Sequence, residues 1–360
     1  MKFWKNLYCI FFVLVIQGTG FSAQQVCDGI EYRCIVKTNT KIHVLKIQLS
    51  NPKIIVRTAL AHDQIGRLET TTGIAKRNKA IAAINGSFFD RRPGHLPIGL
   101  LIIDGQILTK SWHNRSAMGL TTEKKTIFGI PQISCVVTNL TTGSSFEIWG
   151  LNRPRKDDEI ILYTDEYGDT TGTNKTGVEI TVENDQVVGI SDGDSEIPEN
   201  GYVVSFHGKN MNHTNKLPPA APVSVDYKLS DGWQNVLFAL TGGPRLLENG
   251  KVVVDEAIAE ENFRYDLLKK HARTAVGVDR QGNLLLMAVD GRRSKYKRKK
   301  RGVSYTQLAD FFKEVDAVDA IALDGGGEST MYINGKVVNR SDNGYVQKVS
   351  NALIIKLKDN

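Results

Sequence analysis

Asp324 closes the apolar run Ala320-Ile321-Ala322-Leu323 and stands directly before Gly325, Gly326 and Gly327, which lead into Glu328-Ser329-Thr330-Met331. A strand that ends in an acid presents its carboxylate at the margin of a sheet, where it can serve as nucleophile or as general acid or base. Three glycines allow backbone to approach a ligand closely and to take positive φ, and their consecutive amides can form a nest for an anion. They lack the Lys-Ser/Thr of a P-loop and the spacing of a dinucleotide fingerprint. A second polar turn, Asn85-Gly86-Ser87-Phe88-Phe89-Asp90, follows the apolar run 80–84. Its Asn85 amide suits a sugar hydroxyl or a phosphate oxygen, with Gly86 and Phe88 beside it. Three further strand ends carry candidates: Arg273 in His271-Ala272-Arg273-Thr274, Asp290 in Val289-Asp290-Gly291-Arg292, and the turn Thr241-Gly242-Gly243-Pro244. An arginine fork fits a phosphate or a carboxylate, though a structural ion pair is the plain alternative for Arg273 and a β-turn acid for Asp290. His207 ends the run Val203-Val204-Ser205-Phe206 and is a weaker candidate of the same kind.

Other chemistries lack their residues. The chain has no G-x-S-x-G elbow and no H-E-x-x-H, and its seven histidines are scattered singly, which argues against a His/Cys metal site. Asp192-Gly193-Asp194-Ser195-Glu196 falls short of EF-hand spacing and reads as a solvated acidic loop.

Elements must hold these candidates in place. β-Branched runs at 42–49 and 54–59 predict strands, 70–78 predicts a helix, and 80–84 predicts a buried strand ending at Asn85. Leu308, Phe311, Phe312 and Val315 have helical spacing over 305–315, ahead of a strand at 318–323 that delivers Asp324. Asp104-Gly105, Asn249-Gly250, Gln281-Gly282 and Asn334-Gly335 mark hairpins. Arg115-Ser116-Ala117-Met118-Gly119 echoes Arg273-Thr274-Ala275-Val276-Gly277, each opening a hairpin. The expected fold is α+β, with mixed, largely antiparallel sheets and packed helices.

The chain has 360 residues, 41% hydrophobic and 24% charged, which is ample for a core. Lys2 and Lys5, an apolar run over 7–16 and small residues up to Ala23 follow the order of a secretory signal, so residues 1–23 are expected to be removed and the protein exported to the periplasm or cell exterior. No segment approaches the ~20 apolar residues of a membrane span. Residues 24–79 are expected to pack on a catalytic domain of 80–358, within which 152–222 reads as an insertion or subdomain. In an oxidising compartment Cys27 and Cys34, flanking a short loop, are expected to form a disulfide, with Cys135 a buried thiol. The formal charge of +7 is local, because 292–301 alone holds eight basic residues. That run is a solvated loop or a patch for polyanionic substrate, and the rest of the surface does not suit nucleic acid.

Taken in order, Ala80 to Phe89, Thr241-Gly242-Gly243-Pro244, Arg273 to Gly277, Asp290-Gly291-Arg292 and Leu323 to Met331 resemble the phosphodiester glycosidase family, over roughly 80–356. The resemblance implies an exported hydrolase that cleaves a sugar joined through its anomeric carbon to a phosphodiester, in a glycan or cell-surface polymer. The family also includes bacterial exported proteins associated with exopolysaccharide. Asp324 would then be nucleophile or base with Asp290 as partner, and Arg273 would neutralise phosphate. Asn85 and the amides of Gly325 to Gly327 would position oxygens, with Phe88, His207, Thr241, Gly242, Gly243, Glu328, Ser329 and Thr330 as further substrate contacts. Glu328 replaces the small residue that the family more often places after the glycines. This reading needs no cofactor. Two rivals remain open: a metal-assisted phosphodiesterase, which would use a divalent ion, and a non-catalytic protein that binds acidic glycans.

Overall fold

The computed structural model describes residues 23–37, 40–92, 94–110, 114–263, 268–291 and 302–358. The signal-like residues 1–22 and the basic run 292–301 lie outside the described residues.

Two sheets face each other across the largest hydrophobic cluster. One has eight strands, in spatial order Ala23–Cys27, Ile30–Lys37, Thr40–Ile47, Leu284–Val289, Arg273–Asp279, Ala317–Ala322, Arg245–Glu248 and Lys251–Val252. The other has five: Lys336–Val337, Met331–Ile333, Ala82–Asn85, Asn351–Leu357 and Ile54–Leu60. The unbroken apolar run before Asp324 follows from burial on both faces of its strand. Ile321 and Leu323 point between the sheets, among Leu45, Ile84, Val276 and Leu353. Ala320 and Ala322 face the other way, toward Leu308 and Phe312 of the helix Tyr305–Glu314. That helix lies so near that a Cβ on Gly277 would stand 2.8 Å from Phe312 Cε1. It begins at Ser304, which forms a capping box with Gln307. The helix Thr71–Arg77 covers the outside of the five-stranded sheet, burying Ile74 and Ala75 against Ala83 and Ile354.

Three of the remaining sheets share one further core. Ile102 and Ala239 come from the sheet of Leu101–Ile103, Val236–Thr241 and Ala117–Thr121. They meet Val137 and Phe146 of a three-stranded sheet, and Leu162 and Val204 of a sheet built within 150–191 and 201–207. Residues 152–222 thus bring their own strands but bury them in a core held in common with the rest.

Local signals act as their chemistry dictates. Asp104, Asn249 and Asn334 take φ of 52, 49 and 45°, each followed by a glycine at positive φ, as tight hairpin turns require. The fold class needs correction: it is mainly β, with three short α-helices among the described residues, because the helices only cover outer faces while antiparallel pairing builds every large layer. A second correction concerns the cysteines, since Cys27 and Cys34 are not bridged. In the hairpin they were expected to staple, Cys27 lies opposite Ile30 while Cys34 lies further along the partner strand, opposite His43. The offset of four residues is roughly 13 Å, about twice the Cα separation that a disulfide tolerates.

Candidate active site

The strands Ala82–Asn85 and Ala317–Ala322 belong to opposite sheets, and their ends converge. Asp324 N–H donates to Gly86 O at 3.1 Å, so the two glycine-containing turns are bonded directly. Asn85 is fully buried at this junction. Its Nδ2 donates to Asp324 O at 2.6 Å, and its Oδ1 accepts from Thr330 N at 3.0 Å. Both ends of the amide are therefore engaged in holding the Asp324 loop, and Asn85 does not reach the cleft. Gly86 makes this junction fit, because a Cβ there would fall 1.9 Å from Asn351 Oδ1, the acceptor for Ser87 N.

Above the junction lies a cleft of about 970 Å³, lined by Asp324, Gly325, Gly326, Gly327, Glu328, Arg273, Gly242 and Phe88 among the residues expected from sequence. Burial, reinforced by the neighbouring Glu328, pushes the Asp324 carboxyl well above the usual carboxylate range, although Arg91 and Arg273 pull against it. Its Oδ1 accepts from Gly325 N at 2.9 Å. Glu328 is 3% exposed and pairs with Arg91 at 2.7 Å, and burial raises its carboxyl as well. Gly326 takes φ of 69°, and a Cβ on Gly327 would stand 2.4 Å from Asn343 Nδ2. The opposite side of the loop is fastened by Asp342, whose N–H donates to Gly326 O and whose carboxylate takes His271 Nδ1 at 2.8 Å.

Aromatic rings set the arginines. Phe88, Phe263 and Tyr305 form a chain with centroids 6.0 and 6.2 Å apart. Arg273 Cζ sits 3.8 Å from the Tyr305 centroid, while its Nε and Nη2 donate to Val303 O and Lys269 O. Arg115 Cζ sits 3.7 Å from the Phe263 centroid, in the same cleft. A guanidinium keeps its charge in such surroundings, and the ring face favours it.

The other expected residues lie elsewhere. Thr241 is buried with its hydroxyl on Leu100 O, and Gly243, at φ 102°, leaves room for Glu261, whose Oε2 would stand 2.1 Å from a Cβ. Ser329 and Thr330 are buried and do not line the cleft. Asp290 also lies off it, accepting from Arg340 N at 2.7 Å and bonded to His43 Nε2 at 3.1 Å. His207 belongs to a separate depression with Arg155 and Asn174, its Nδ1 accepting from Asp158 N. Among the described residues no cluster of three or more His, Cys, Asp or Glu side chains suits a metal ion. Arg115, Tyr305, Phe263, Arg91 and Asp342 line the cleft without having been singled out for it. For Arg115 a signal existed in the echo of its segment with that of Arg273.

Comparison with known proteins adds three findings. Residues 176–356 match the family described as phosphodiester glycosidase, a shorter stretch than the expected 80–356 that leaves the Asn85 turn outside. The N-acetylglucosamine-1-phosphodiester alpha-N-acetylglucosaminidase of Bos taurus is 36% identical over 108 residues, 28% of this chain but only 20% of that protein. In fold, the chain is similar to a hypothetical protein from Synechocystis, with a TM-score of 0.81 at 23% identity, covering 95% of this chain and 64% of that one. It is also similar to the zebrafish N-acetylglucosamine-1-phosphodiester alpha-N-acetylglucosaminidase catalytic domain auto-inhibited by pro-peptide, with a TM-score of 0.50 at 18% identity, covering 97% and 88%.

Proposed function

The chain belongs to the phosphodiester glycosidase family, and from that premise we propose that it is an exported hydrolase cleaving the bond between a sugar's anomeric carbon and a phosphodiester in a glycan or cell-surface polymer. One observation carries the reading: a single cleft holds two carboxyls of raised proton affinity, Asp324 by burial and the neighbouring Glu328, and Glu328 by its own burial, beside an arginine fixed over an aromatic ring. Two carboxyls are the usual equipment of glycosidic cleavage. Asp324 acts at the anomeric carbon as nucleophile, or as base toward the attacking water. Glu328 takes the partner's place in preference to Asp290, which lies off the cleft. Arg273 neutralises the phosphate as its bridging oxygen departs, and because a phosphate leaves more readily than an alcohol, it needs less help from a general acid. Export rests on the signal-like N-terminus. No described helix is long and apolar enough to cross a membrane.

Hydrolysis in oxygen-18 water tests the reaction. The released sugar, read before its anomeric hydroxyl exchanges, is expected to carry the label and the phosphate monoester to carry none. Label in the phosphate, or activity abolished by EDTA and restored by a divalent ion, would support a phosphodiesterase instead.

A further inference from the structure

Arg115 has an unusual position for a half-buried cation. Its Nε and Nη1 are shielded from solvent and make no hydrogen bond among the described residues. The Tyr305 hydroxyl, in a side chain only 2% exposed, has no acceptor for its O–H, since the Arg273 guanidinium beside it can only donate. Buried polar groups are nearly always hydrogen-bonded, and a guanidinium N–H left bare costs more than most, so such donors call for an acceptor. All three donors without an acceptor belong to residues lining the cleft that holds Asp324 and Arg273.

The surroundings also show that Arg115 is held in place from behind. Ser116, the next residue, gives both its N–H and its hydroxyl to the buried carboxylate of Glu261, which also accepts from Arg245 N. Gly243 has no side chain to obstruct that carboxylate. In front, Phe263 fixes the plane over which the guanidinium lies, and Tyr305 supports Arg273 on the adjoining ring. Two guanidiniums thus stand on neighbouring rings of one aromatic chain, with a phenol hydroxyl at the second.

We propose that Arg115 and the Tyr305 hydroxyl, together with Arg273, form the cradle for the substrate's phosphoryl group. This rests on the phosphodiester reading above and names which groups grip the leaving phosphate. The acceptor their N–H and O–H groups call for is a tetrahedral oxyanion, whose non-bridging oxygens can take the Arg115 fork and the phenol at once. Negative charge gathers on those oxygens as the bond to the sugar breaks, so the cradle acts on kcat more than on ground-state binding.

Calorimetric titration with inorganic phosphate tests the cradle without any need for turnover. Wild type is expected to bind, Arg115→Gln to bind roughly 10- to 100-fold more weakly, and Tyr305→Phe roughly 3- to 10-fold more weakly. Arg115→Lys, which keeps the charge but loses the fork and the ring contact, is expected to recover only part of the loss. Near-ultraviolet circular dichroism confirms that each variant is folded, and Tyr305→Phe removes one oxygen only, so it remains informative if the arginine variants unfold. Equal phosphate affinity in wild type and in folded Arg115→Gln or Tyr305→Phe would overturn the proposal, as would failure of wild type to bind phosphate. Arg115-dependent phosphate binding without hydrolysis of any glycosyl phosphodiester would leave the cradle standing and bring down the catalytic reading alone. Hydrolysis undiminished in Arg115→Gln would do the reverse.

Discussion

At the scale of single residues, the site turns on acids kept in poor solvation. Asp324 has its folded proton affinity raised above the ordinary value of 3.8, by burial first and Glu328 second. A carboxyl of this kind binds its proton more tightly folded than unfolded. Its contribution to stability is therefore complete below pH 3.8 and is lost as pH climbs through the raised native value. Asp324→Asn, neutral at every pH and of the same shape, escapes that loss. The difference in Tm between variant and wild type should grow in the variant's favour as pH rises across this window, and parallel Tm curves would contradict the assignment. The same variant should lose at least ~100-fold in kcat, the scale of a missing nucleophile or base. A folded Asp324→Asn with near-normal turnover would remove Asp324 from the mechanism.

At the scale of elements, the cleft depends on two strand ends from different sheets being tied together. Asn85 makes that tie with both halves of its amide, to Asp324 O and Thr330 N. Asn85→Ala strands the buried Thr330 N–H and removes one of the two donors to Asp324 O, which keeps the Thr274 hydroxyl, at a cost of roughly 1–3 kcal/mol. Tm should fall accordingly, and kcat should fall in enzyme that is still folded, because the Asp324 loop loses its anchor. An Asn85→Ala variant with a lowered Tm but unchanged kcat would show that the tie serves stability alone. Much at this scale was legible beforehand. The helix expected over 70–78 occupies Thr71–Arg77, that over 305–315 occupies Tyr305–Glu314, and the four glycine-containing hairpins all close. Helix caps and turn glycines act over a few residues, so a linear reading captures them. The Cys27–Cys34 bridge failed for the complementary reason: proximity in sequence says nothing about an offset in register.

At the scale of the whole molecule, the strands within 152–222 share their core with distant segments, so they are not expected to unfold alone. Leu162 lies in that common core beside Ile102, Ala239 and Val137. Leu162→Ala should cost about 2–5 kcal/mol and lower a single Tm for the entire chain, with little change in kcat below the transition. A separate early transition in calorimetry would instead mark an independent unit.

The amino-acid sequence by itself determined the elements and the polar turns at their ends, because helical periodicity, strand pattern and turn chemistry are properties of neighbouring residues. It also placed Asp324 and Arg273 at strand ends, where side chains can emerge from a sheet. Which ends meet was decided only by the tertiary structure. Antiparallel pairing joins Arg273–Asp279 to Ala317–Ala322, and core packing sets that sheet against the one carrying Asn85. The same arrangement brings Arg115, Phe263 and Tyr305 from three separate segments into one cleft, while Asp290 is drawn to His43 and His207 to a different sheet. Each of these contacts spans long stretches of chain, and its energy comes from strand order and from the burial of apolar faces. Those are properties of the assembled sheets, and no short stretch of sequence contains them.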